Sequence, residues 1–174
     1  VTGDSYMMAA LPSWDTPLLI LYYLCNAVLL GGTTVAILAL VKKDFEAARI
    51  AARISLIGGI VSLVVVVAYA AIISSFGQFG TIEYYFDPVH PDTPMVDSAA
   101  VNASIMTGSQ ALLFWGLAVI VGLVVPIVLA FIAQRVKDTK SLSMASVSLA
   151  CVVIGSFAWR YILYVVAISL FALF

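Results

Sequence analysis

Charge is scarce in this sequence. Asp, Glu, Lys and Arg make up 10% of its 174 residues, where a soluble domain carries about 25%. With 64% of residues in the hydrophobic classes and a mean hydropathy of +1.15, the shortage excludes a soluble globular domain. The chain reads as an integral membrane protein. The formal net charge of -1 says nothing about partners, so the information lies in where the charges fall. There is no basic patch for nucleic acid, no P-loop and no zinc motif. Cys25 and Cys151 sit inside apolar runs, with no second Cys and no His at ligand spacing. They read as small buried side chains, and no metal site is expected. The single histidine, His90, lies in a Pro/Asp-rich segment. A buried b-type haem usually takes two axial ligands from helices, so no haem is expected of this chain alone. Val1 is not an initiator Met, and no basic stretch precedes an apolar run, so no signal peptide is read. The expectation is a processed chain, or part of a longer polytopic subunit.

What the chain does have is four apolar stretches, about 17–41, 54–76, 108–134 and 147–174. Each exceeds the ~20 residues a bilayer requires. The expected fold is all-α: a single membrane domain over 1–174, a polytopic bundle of four transmembrane helices. Tyr6 and Trp14 suit the membrane–water interface. Asp15-Thr16-Pro17 is a helix start, with a capping side chain and a proline for the first turn. Ala27, Gly31, Val35 and Ala39 recur at spacing four, and Ala51, Ser55 and Gly59 repeat the pattern. Both rows predict slim faces for close helix packing. Gly31-Gly32-Thr33-Thr34 reads either as packing or as a ligand-facing break. Pro126 removes a helix bond to Gly122 and predicts a kink there.

The basic residues cluster in two segments. Lys42 to Arg53 reads as a loop holding four of the eight, and Arg135, Lys137 and Lys140 lie in a second loop ending at Ser146. Short basic loops stay cytoplasmic, which places both termini and the long segment 77–107 on the outer side. That segment has four acids, no Lys or Arg, three prolines and the aromatics Tyr84, Tyr85 and Phe86. It reads as a long loop that covers a partner or a ligand-site mouth, or as one whose front end is a helix lying on the membrane. Asn102-Ala103-Ser104 matches the glycosylation triplet, a pattern common by chance.

One basic residue stands apart. Arg160 lies about 14 residues, or roughly 20 Å, from either end of the expected last span. Ser148, Val152, Ser156 and Arg160 fall at spacing four, which predicts one polar stripe facing protein or a cavity. No Asp or Glu lies inside any span. Candidate partners are therefore Asn26, Tyr69, Gln110, backbone carbonyls, an acid from another subunit, or a ligand oxygen. Arg160 reads as a hydrogen-bond hub of the bundle or as part of a proton path or quinone-type site. A transporter half-module and a purely structural anchor both remain open.

Two stretches carry a resemblance. The run Pro12-x-Trp14-x-Thr16-Pro17, then an apolar helix with Ala27 and Gly31, resembles the second half of a family of membrane-anchor subunits. These are the anchors of polysulfide reductase, nitrite-reductase-associated and dimethyl sulfoxide reductase complexes. Gly155-Ser156-Phe157-Ala158-Trp159-Arg160-Tyr161, followed by Tyr164, resembles the family's last glycine-to-arginine helix. The resemblance implies the last four helices of a longer, haem-free subunit in a prokaryotic cytoplasmic membrane. It implies an iron–sulfur electron-transfer subunit and a molybdopterin catalytic subunit as partners on the outer face, with electron exchange with menaquinone or ubiquinone. Gly155 and Arg160 carry over by motif. Arg160, Asn26, Tyr69 and Gln110 are the quinone or proton-path candidates, and Gly155, Gly31, Gly59 and Pro126 the packing candidates.

Overall fold

The computed structural model describes residues 14–75, 98–134 and 140–166. Tyr6, His90, the front of the long loop, residues 135–139 of the second basic loop and the last eight residues lie outside the described residues, and the rest of that loop, from Lys140, is helix.

The described chain is all-α, and four of its helices are long and apolar enough to cross a membrane. It is a multi-pass helical membrane protein. Helix α1 spans Pro17–Val41 and α2 spans Phe45–Ser75. A short α3, Ser98–Met106, precedes the third span. That span is a π-helical stretch, Leu112–Val124, continued by α4, Val125–Ala133. Helix α5 spans Lys140–Val165.

Local chemistry fixes these ends. Thr16 caps α1, its hydroxyl accepting from the Leu18 N–H at 3.3 Å, and Pro17 opens the helix. The far end of α1 closes on two reverse bonds, Lys43 N–H to Leu40 and Asp44 N–H to Ala39. Lys43 takes the left-handed conformation this motif needs, with φ 61°. Asp44 then caps α2 at once, its carboxylate accepting from Ala47 N–H at 3.0 Å. The expected loop 42–53 is therefore a tight turn of Lys42 to Asp44, and Glu46 to Arg53 are helix. Hydropathy missed this because polar residues begin α2, yet Glu and Ala favour helix strongly.

The expected long loop also differs. Its back end forms helix α3, and the front-end helix expected of it falls outside the described residues. Asn102 is buried there and donates to the Ile73 carbonyl at 3.0 Å, so the glycosylation triplet offers no free amide. Pro126 sits just past the change from π to α spacing, where Val125 still bonds back to Ile120. That change of register takes up the missing proline N–H.

The spans pack by small residues. A Cβ on Gly155 would overlap Gly122 Cα, so the third and fourth spans touch backbone to backbone. On Gly59 it would come within 2.8 Å of Ile127, and on Gly58 within 3.1 Å of the α1 backbone. Gly32 meets Ser55 Cβ at 2.9 Å, whereas Gly31 has nothing within 4 Å. Of the row Ala27, Gly31, Val35 and Ala39 the first three are exposed and only Ala39 is buried, and α1 buries Cys25, Leu29, Thr33 and Ala36 beside it. The predicted slim face of α1 thus points outward, which corrects Gly31 as a contact within the bundle.

Candidate functional site

The end of α5 runs antiparallel to the start of α1, and three contacts set the register. The Trp14 indole donates to the Leu163 carbonyl at 2.8 Å. The rings of Tyr22 and Trp159 lie 4.5 Å apart. The Asn26 amide donates to the Ser156 hydroxyl at 2.9 Å, which donates on to the Val152 carbonyl at 2.8 Å. Arg160 therefore stands level with Tyr22 and Tyr23, about 8 Å below the start of α1 at 1.5 Å per residue. This revises its depth: it sits in the third of the bundle nearest the start of α1 and not at the centre. From there a guanidinium on a flexible stem reaches toward the interface.

The stripe Ser148, Val152, Ser156, Arg160 also turns. A step of four residues overshoots one helical turn by about 40°, so three steps rotate it by about 120°. Ser148 and Val152 are buried, Ser156 is half-buried and Arg160 is exposed. The stripe starts in the core and ends on the flank, so Arg160 does not face the bundle interior.

That flank carries a groove of about 340 Å³ between α1 and α5. Tyr22, Tyr23, Asn26, Ser156, Trp159 and Arg160 give it its polar and aromatic lining, and Ala27, Leu30, Val153 and Phe157 complete it. Trp159 is its rigid wall. It is 1% exposed and packs on Tyr22, on Tyr69 at 5.4 Å and on Phe114 at 6.2 Å. Its indole N–H has no hydrogen-bond partner. A buried donor without a partner costs about 1–3 kcal/mol.

Of the sequence candidates, Arg160 and Asn26 meet in this groove. Tyr69 lies behind Trp159, in the core and away from the lining. Gln110 sits half-buried in the turn ahead of the third span and takes no part in the lining. Sequence reasoning missed Tyr22, Tyr23 and Trp159 as site residues. The signal for Trp159 was its place beside Arg160 in the sequence. Tyr22 and Tyr23 gave none without the helix register.

No protein-family model, curated protein or solved structure matches the chain in comparison.

Proposed function

We propose that this chain is a membrane-anchor subunit of a respiratory oxidoreductase complex, with the α1/α5 groove holding a quinone headgroup near the outer face. The observation that carries the reading is the groove itself: a guanidinium, an amide and an unpartnered indole N–H gathered beside two tyrosine rings. A quinone supplies two-electron, two-proton exchange when bound. The residues here suit its headgroup. Arg160, the second N–H of Asn26 and the Trp159 indole are donors, and carbonyl oxygens are acceptors. Tyr22 and Trp159 offer flat apolar faces to a ring.

Among the described residues, the groove has no carboxylate and no imidazole. Its residues accordingly bind and orient the headgroup, and the proton acceptor comes from a partner or from water at the outer interface. The partners in this reading are an iron–sulfur electron-transfer subunit and a molybdopterin catalytic subunit on the outer face. Charge supports the orientation in this reading: seven of the eight Lys and Arg residues fall at 42–53 and 135–140, the pattern of a cytoplasmic end, and the prokaryotic membrane is what the family resemblance implies.

One observation favours a second reading. Ala27 and Gly31 are exposed beside the groove, and Gly31 leaves open space. A neighbouring helix can approach closely there, making the groove an assembly interface of a structural subunit.

Photolabelling native membranes with an azido-quinone separates the two. Label on the segments 22–27 and 153–160, competed by excess quinone and lost in Arg160→Leu, is the expected outcome. Label confined to other subunits sinks the quinone reading. The structural reading predicts that Arg160→Ala lowers the amount of complex while turnover per assembled complex stays unchanged. A transporter module instead predicts substrate flux in liposomes containing this chain alone.

A further inference from the structure

A second cavity, of about 40 Å³, lies at the opposite end of the bundle, with walls from all four spans. Leu40, Phe45 and Ser141 line its shallow part, and Thr33, Ser55 and Ser148 line its floor. Counting from Leu40 to Thr33 along α1, the floor lies about 10 Å inside the bundle at 1.5 Å per residue.

Its polar lining is lopsided. Thr33 and Ser55 both donate to the Leu29 carbonyl, at 2.7 and 3.0 Å, so their protons are committed. Ser141 donates to the Ala133 carbonyl at 3.3 Å. Two donors have no partner: the Ser148 hydroxyl, on a residue 2% exposed, and the Gln134 amide nitrogen. Arg49, an exposed residue, lies at the rim of the same wall, and among the described residues no Asp or Glu lines it. An amide NH₂ and a guanidinium only donate. Spare buried donors beside a positive charge call for an acceptor that carries negative charge.

We infer that this cavity is a binding site for one small monovalent anion of halide size, held by Ser148 and Gln134, with Arg49 at the rim supplying the positive charge. One guanidinium balances one negative charge, and the space exceeds the ~10–15 Å³ a single water needs. The site stands apart from the quinone groove: none of the cavity's lining residues also lines the groove.

The test is thermal unfolding of the full chain in lipid nanodiscs, in sodium chloride, sodium bromide and sodium gluconate at equal ionic strength. Expected is a Tm several degrees higher in either halide than in gluconate. Ser148→Ala and Gln134→Leu should each lose most of that increment. In gluconate, Ser148→Ala should melt no lower than the wild type, because its hydroxyl has no partner to lose. Equal Tm values in all three salts, or an increment that Ser148→Ala keeps in full, overturn the inference and leave a cavity that holds water only.

Discussion

The two seams made by α1 differ in kind. Toward the basic end α1 meets α2 through Gly32, Gly58, Ala51 and Ser55, and the backbones come close. The hydroxyls in that seam close on each other and on a carbonyl: Thr33 and Ser55 lie 2.8 Å apart and share Leu29. Toward the outer end α1 meets α5 through Trp14, Tyr22 and Trp159. Large rings hold those helices apart, and the space between is the groove that ends at Arg160. Small residues make a seam that satisfies its own polar groups. Aromatic residues make one that leaves a donor, the Trp159 N–H, for something else.

Four substitutions sharpen that contrast. Trp159→Ala should have the largest effect. It removes the wall shared by Tyr22, Tyr69 and Phe114, at a cost of about 3–5 kcal/mol. Chemical unfolding in mixed micelles measures it, and a loss below about 1 kcal/mol would mean the aromatic seam does not hold the outer half together. Next comes Gly155→Ala, whose added carbon lands on the Gly122 backbone. Overpacking of this kind costs about 1–3 kcal/mol, read in the same assay. The smallest effect belongs to the pair Gly31→Ala and Gly32→Ala. The first meets open space and should be neutral or stabilising by about 0.5–1 kcal/mol, as Ala favours helix over Gly. The second meets Ser55 and should destabilise. Equal effects for the two would show that Gly31 is covered by another helix in the assembled protein.

Composition and charge placement made the four spans legible, and Thr16-Pro17 marked the first helix start. The faces were legible only in part: Ala51, Ser55 and Gly59 of α2 are all buried as their row predicts, whereas the rows on α1 and α5 misled. A row at spacing four looks like one face on paper, but it precesses about 40° per step. That carried the polar stripe of α5 from buried Ser148 to exposed Arg160. On α1 the small row led to the wrong side, because Gly31 and Gly32 are adjacent and only the packing of Ser55 selects between them. The turn at Lys43 was hidden for a related reason: a left-handed helix end usually shows a glycine, and here a lysine holds it. Arg160 and Asn26 were found because a polar group in an apolar span stands out. Tyr22 and Trp159 were not, because aromatic residues in such spans usually serve packing, and only the register between α1 and α5 brings their rings to the groove.

Native mass spectrometry of the gently solubilised complex, wild type against Arg160→Leu, tests the quinone groove most directly. Intact subunit masses and quinone content are read in the same experiment. The expected result is this chain with iron–sulfur and molybdenum subunits and bound quinone, and the same assembly without quinone in Arg160→Leu. Wild-type complex free of quinone and of any redox partner would contradict it.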